Sequence, residues 1–263
     1  MSDRVTVSTD GHVAEVMLNR PDKHNAIDMQ MFAELGEAGD RLAAEPAIRA
    51  VVLHGAGDNF CAGIDVGVFD DNTASIGPNS MTPQDPSPAN FFQRAAYVWR
   101  ELPVPVICAI SGVAFGGGLQ IALGADLRYA RPDSRLSIME IKWGLIPDMA
   151  ISATARHVMP VDKLKELAYS GRVVDGKEAL QLGLLTALHE DPLMAAREMA
   201  AEIAGKSPEA VAAMKKLFNS GWDLPESESL ALEAALQSRL MGSENQLEAA
   251  QANLNKRSPE FKN

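Results

Sequence analysis

The sequence predicts a layered α/β fold followed by a helical C-terminal region, and three observations carry that prediction. Short β-rich runs alternate with amphipathic segments over residues 1–191. Their recurring order is strand, strand, helix, which stacks helices outside sheets. From residue 192 onward the strand signal stops and helical segments alone remain, so the chain divides into 1–191 and 192–263. With 263 residues, 46% of them hydrophobic and 22% charged, the chain can bury a sizeable core, and a disordered polymer is excluded.

Val5 to Ser8 and His12 to Leu18 are β-rich and flank Asp10-Gly11, a hairpin signal. Asp28 is placed to cap a helix in which Phe32, Leu35 and Leu42 recur at helical spacing, ending before Pro46. Arg49 to His54 reads as a strand. Residues 67–90 form a long connection rich in Pro, Asn, Asp and Ser, of the kind that covers a site or moves on the surface. Ala89 to Glu101 reads as helix, Val104 to Ile110 as an apolar strand, and Gly117 to Leu123 as a short helix.

Ala125 to Ala130 and Arg135 to Ile138 follow as strands, then a helix starting near Asp148. The C-terminal part gives helices over Pro192 to Ala204, Pro208 to Ser220, and Glu226 to about Leu254 with a break near Gly242. There Leu230, Ala234 and Leu240 form an apolar stripe suited to its own core or to a neighbouring subunit.

Lys and Arg number 24 against 35 for Asp and Glu, a net charge of −11 that argues against binding nucleic acid over a broad surface. Cys61 and Cys108 form no C-x-x-C pair, which suggests neither a zinc site nor a disulfide framework and fits a reducing, cytoplasmic setting. The stretch Leu102 to Ala125 carries no charge over 24 residues, long enough to span a bilayer. Pro103, Pro105 and three consecutive glycines argue instead for a buried strand, a turn and a short helix, with no membrane partner.

Two familiar signatures fail on inspection. Gly171-Arg-Val-Val-Asp-Gly176-Lys177 matches a P-loop up to Glu178, which stands where Ser or Thr must ligate magnesium. Gly116-Gly-Gly118 fails the dinucleotide fingerprint because Ile121 occupies its third glycine position. No metal-ligand or serine-hydrolase pattern is present either.

What remains is a pair of Gly-containing turns, each following an apolar strand: Phe60-Cys-Ala-Gly-Ile-Asp65 and Gly116-Gly-Gly118. The second opens a helix, whose unpaired N–H groups and dipole favour a developing oxyanion. Spacing alone also allows these glycines to serve only as tight turns.

Four ordered motifs go further. Asn19-Arg-Pro-Asp-Lys-His-Asn-Ala26, Phe60 to Asp65, Ser111-Gly-Val-Ala-Phe-Gly-Gly-Gly118 and Glu140-Ile-Lys-Trp-Gly-Leu-Ile-Pro-Asp148, joined by Ala179 to Leu184, give the chain a resemblance to the crotonase (enoyl-CoA hydratase/isomerase) superfamily over residues 4–262. The resemblance implies a spiral of ββα turns, a helical C-terminal region that builds homotrimers or hexamers, and an acyl-CoA thioester as substrate. No further cofactor is implied, since CoA is part of the substrate. It also implies that the thioester oxygen lies between the N–H groups of Ile64 and Gly117. Lys23, His24, Ala26 and Ala62 match positions lining CoA, and Lys256 matches a lysine that reaches a CoA phosphate, although Asn253 replaces the Phe that often accompanies it.

Hydratases of that family use two glutamates. Only Glu140 is present; Gln120 stands at the other position, and an amide exchanges no proton near neutral pH. Asp148, eight residues after Glu140, resembles the second carboxylate of dienoyl-CoA isomerases, although it also suits an N-cap after Pro147. The expectation is therefore double-bond isomerisation of a dienoyl-CoA. The alternatives are hydration of a 2-enoyl-CoA by Glu140 and a CoA-thioester binding protein without turnover.

Overall fold

The chain begins with β1 (Val5–Asp10) and β2 (Val13–Leu18), paired antiparallel from Val5 opposite Leu18 to Asp10 opposite Val13. In this computed structural model residues 3–70 and 80–263 are described, so residues 71–79 of the polar connection lie outside it. Asp28 accepts the Met31 N–H at 2.9 Å and starts α1 (Met29–Ala43), which buries Phe32, Leu35 and Leu42 along one face. β3 (Ala50–Gly55) and the short α2 (Gly67–Asp70) follow, then α3 (Phe91–Glu101). Asn90 and Gln93 close a reciprocal capping box at the start of α3, satisfying two backbone donors that would otherwise be unpaired.

The charge-free stretch folds as its prolines and glycines predict, into β4 (Val106–Ile110), β5 (Val113–Phe115) and α4 (Gly117–Gly124). Among the described residues no helix is long and apolar enough to cross a membrane. β6 (Leu127–Ala130) and β7 (Arg135–Ser137) come next. The helix expected near Asp148 begins later, as α5 (Ile151–Thr154), because Ala150 is left-handed (φ 66°) and delays helix entry. α6 (Val161–Ser170), β8 (Val174–Asp175), α7 (Gly176–Gln181) and β9 (Ala187–Leu188) complete the mixed region. The P-loop-like segment joins α6 to α7, and its Asp175 caps α7 through the Glu178 N–H.

The strands form two sheets. The larger runs β1-β2-β3-β4-β6-β9, parallel from β2 onward; the smaller runs β5-β7-β8, with β5 and β7 parallel and β7 and β8 antiparallel. β4 with β5, and β6 with β7, thus each give one strand to either sheet, which makes the chain a spiral of ββα circuits. Both faces of the larger sheet are covered, as parallel pairing requires. Val51, Leu53, Val106 and Cys108 face the main core with α1, α3 and α4, whereas Ala50, Val52, Ile107 and Ala109 face the opposite way.

That opposite face is closed by α8 (Pro192–Ala204), whose Ala196 and Ala200 are fully buried there. The switch to helices at residue 192 is therefore a change of element type across one continuous core. α9 (Pro208–Ser220), α10 (Glu226–Leu240) and α11 (Glu244–Leu254) follow, with the break between the last two at Gly242 (φ 78°). The stripe Leu230, Ala234 and Leu240 lines an open groove with Ala213 and Leu217 of α9, leaving Leu230 59% exposed.

Candidate active site

The two Gly-containing turns lie side by side because Cys61, in the segment 60–65, pairs with β5 through an isolated parallel bridge. Cys61 donates to Val113 O at 3.0 Å and Phe115 donates to Cys61 O at 3.0 Å. On its other side the segment pairs with Ile27, which donates to Gly63 O at 2.8 Å and accepts from Asp65 N at 2.9 Å. Such a parallel bridge uses the N–H groups of Ile27 and Asp65, so the Ile64 N–H between them is left out of the pairing. Gly63 has φ +96°, and a side chain there would meet Phe115 O at 2.8 Å. Glycine alone permits this approach of the two turns.

Gly117 is the first residue of α4, so its N–H is one of the donors that a helix cannot pair internally. The side chain of Ile64 flanks it: a methyl group on Gly117 would lie 3.5 Å from Ile64 Cγ1 and 2.8 Å from Met149 Sδ. Two unpaired backbone donors on neighbouring turns, one at the positive end of a helix dipole, are suited to a carbonyl oxygen that gains negative charge.

Above the same turn stands Glu140, the first residue of a 3-10 turn from Glu140 to Trp143 and only 9% exposed. Its Oε1 accepts from Gln120 Nε2 at 2.6 Å, and Gln120 Oε1 accepts the Met149 N–H at 2.8 Å. The two bonds fix which end of the Gln120 amide faces the carboxylate. Glu140 Oε2 is buried with no hydrogen-bond partner, alone in this among buried side-chain oxygens and nitrogens of the described residues. Burial raises the Glu140 carboxyl pKa and the charge of Asp148 adds to the rise, while the nearby backbone N–H groups of Glu140 and Met139 and the Gln120 amide oppose it.

Asp148 is solvent-exposed, and the surrounding protein also raises its pKa by desolvation. It caps no helix, since the residue before α5 is Ala150 and no side chain closes that end. Glu140 and Asp148 are thus two carboxylates with raised pKa, one enclosed and one facing water. Together they are able to take up a proton at one point and release one at another.

Lys23, His24, Ala26 and Ala62 gather on a separate ledge. His24 and Asn25 are both left-handed (φ 50° and 55°), and His24 O accepts from Ala62 N at 3.0 Å. Lys23 and His24 are exposed there. The ledge is held from beneath by Asn25, fully buried, which donates to Ala56 O at 2.9 Å and Asn59 O at 2.7 Å and accepts from Arg20 N at 2.8 Å. Lys256 sits in the turn after α11, where Arg257 pairs with Glu248, and the tail is tied to Arg49 at the N-terminal end of β3 through Phe261 O and Asn263 Oδ1. The ledge lies beyond the C-terminal end of that strand, beside Ala56 and Asn59.

Sequence reasoning assigned no role to Arg20, Asn25, Asn59 or Met149, though Arg20 and Asn25 lie within the first motif and Asn59 and Met149 each flank another. A polar residue such as Asn25, set among charged and turn residues, gives a weak signal: its burial depends on contacts 31 and 34 positions away.

The family described as enoyl-CoA hydratase/isomerase matches residues 8–263. A carnitinyl-CoA dehydratase of Proteus mirabilis is 33% identical over all of this chain and 99% of its own. The mitochondrial Delta(3,5)-Delta(2,4)-dienoyl-CoA isomerase of Mus musculus is 31% identical over 95% of this chain and 79% of its own. Among solved structures, an enoyl-CoA hydratase from Bacillus anthracis superposes with a TM-score of 0.88 at 27% identity, covering 98% of this chain and 99% of that one. The chain belongs to the enoyl-CoA hydratase/isomerase family and has the crotonase fold.

Proposed function

We propose that this member of the enoyl-CoA hydratase/isomerase family shifts the double bonds of a dienoyl-CoA thioester. The observation that carries the reading is the bridge from Met149 N–H through the Gln120 amide to Glu140 Oε1. Gln120 occupies the place of a proton-transferring group without being one, and the carboxylate whose charge acts on Glu140 is Asp148. Ile64 and Gly117 N–H groups hold the thioester oxygen and make the adjacent carbon acid enough for Glu140 Oε2 to take its proton. The charge then spreads over the dienolate, and Asp148 returns one proton at the far end of the conjugated system. One proton leaves and one enters, so the product differs only in bond positions. Lys23, His24, Ala26 and Ala62 hold the CoA moiety.

A second reading, addition of water to a 2-enoyl-CoA, draws on the free Glu140 Oε2 and the unused second hydrogen of the Gln120 amide, which together are able to hold a water. We also propose that the chain assembles as a homotrimer or hexamer, since α9 and the turn after it expose Met214, Phe218 and Trp222. In such an assembly Lys256 would meet CoA held by another subunit.

Purified protein assayed side by side with a short 2-enoyl-CoA and a 3,5-dienoyl-CoA separates the two chemistries. The expected result is a kcat/KM for the dienoyl thioester at least about tenfold higher. Faster hydroxyacyl formation from the enoyl thioester would instead install the water-adding mechanism. Asp148→Asn should abolish isomerisation while melting no lower than wild type, since Asp148 caps no helix and the substitution removes only a charge that burial disfavours.

A further inference from the structure

Arg20 lies within the first motif, yet nothing in the mechanism above uses it. Its side chain is only 12% exposed and reaches three groups: Asp65 Oδ2 at 2.7 Å, Ala26 O at 3.0 Å and Asp28 Oδ2 at 3.7 Å. Asp65 is the residue after Ile64. Its other oxygen, Oδ1, accepts the Gly67 N–H at 3.0 Å, so the carboxylate is held from both sides. Asp65 N in turn donates to Ile27 O, and Ile27 N donates to Gly63 O. The carbonyl of the Gly63–Ile64 peptide is therefore held by Ile27 N and the next amide, Asp65 N, by Ile27 O, so the Ile27 segment forms one edge and residues 63–65 the other. Arg20 ties the two edges together, because it grips Asp65 and the carbonyl just before Ile27.

We infer that Arg20 and Asp65 are positioning residues that aim the Ile64 N–H at the thioester oxygen. The inference rests on the proposed role of Ile64 and Gly117 as oxyanion donors. The two donors are held by different means: Gly117 N–H is set by the start of α4, whereas Ile64 lies in an irregular segment with no helix or full sheet ladder to orient it. An irregular segment needs an external brace if its amide is to stay within the narrow geometry that transition-state stabilisation demands. A planar guanidinium spanning a carboxylate and a carbonyl supplies such a brace, and a lysine ammonium, a point donor on a flexible stem, spans the pair less well.

The test uses the full-length protein with a conjugated, electron-rich aromatic enoyl-CoA, whose absorption moves to longer wavelength as its carbonyl is polarised. Wild-type protein should shift the band; without a shift, the oxyanion assignment itself falls. Given that shift, Arg20→Gln and Asp65→Asn should each lose much of it, with kcat reduced about tenfold to a hundredfold and KM changed less than about threefold. Arg20→Lys should recover part of both. Folded variants that retain the full shift and kcat would overturn the positioning role and leave the oxyanion assignment intact. Asp65→Asn keeps the bond to Gly67, so it decides the matter if Arg20→Gln fails to fold. Failure of both to fold would make the pair a stability element and overturn the inference.

Discussion

Two buried charges in this protein are treated in opposite ways. Lys215, on α9, is 8% exposed and fully partnered: its ammonium donates to Trp99 O at 2.8 Å, Val104 O at 2.9 Å and Asp126 Oδ2 at 2.7 Å. Those three acceptors match its three hydrogens, and Asp126 also braces β4 through the Val106 N–H. Glu140, 9% exposed, receives one side-chain hydrogen bond and leaves an entire oxygen unpaired. An unpaired buried polar atom costs stability, so a protein keeps one only where something else needs it. Lys215 closes the junction between α9 and the strand starts; Glu140 keeps an oxygen that no protein group occupies, as the proposed proton acceptor requires.

The widest separation between the two regions should come from Glu140→Gln. Size and the bond to Gln120 survive, basicity does not, and turnover should fall between about a hundredfold and ten-thousandfold while acyl-CoA binding measured by calorimetry persists. A variant that turns over at the wild-type rate would place the proton elsewhere.

Lys215→Met should do the reverse. It leaves Asp126 and two carbonyls without their partner, and chemical denaturation should report a loss of about 3 kcal/mol. Activity per folded molecule should hold; a parallel loss of kcat would show that the two regions are not independent.

Gln120→Glu sharpens the comparison from inside the site, since it places a second carboxylate where the amide now lies 2.6 Å from Glu140 Oε1. The pair would share a proton, and one apparent pKa would rise further. Isomerisation at neutral pH should slow by about tenfold, with the acid limb of its pH profile displaced upward. Enhanced addition of water to a 2-enoyl-CoA would favour the hydratase reading instead.

The contrast also separates what was legible in the sequence from what was not. Elements with a cap, a period and a clear end were readable: the helices from Pro192 and Pro208 end at Ala204 and Ser220 as their apolar spacing and flanking glycines indicate. β5 and β8, three and two residues long, have no period to read, so of the smaller sheet only β7 was legible, and β9, two residues at the edge of the larger sheet, was missed as well. At the site, the chemistry-bearing types Glu140, Asp148 and Gln120 and the glycine turns stood out. Their braces did not, because Arg20, Asn25 and Lys215 owe their roles to tertiary contacts made across 45, 34 and 116 positions. The N-cap reading of Asp148 failed for a local reason: the left-handed Ala150 moves the helix start two residues on.

The most direct measurement of the central claim, that Glu140 is a buried charge left under-compensated for chemistry, is the melting temperature of wild type and Glu140→Gln across pH. A carboxyl whose pKa is raised by folding favours the folded state when protonated. Its contribution is complete below its ordinary value of 4.5 and is lost as pH rises through the raised one. Glutamine stays neutral throughout. Glu140→Gln should therefore melt above wild type at neutral pH, with the gap closing as pH falls below the ordinary carboxylate range. Equal melting temperatures at every pH, or a wild type that is the more stable at neutral pH, would show that the charge of Glu140 is compensated by its surroundings and would contradict the account.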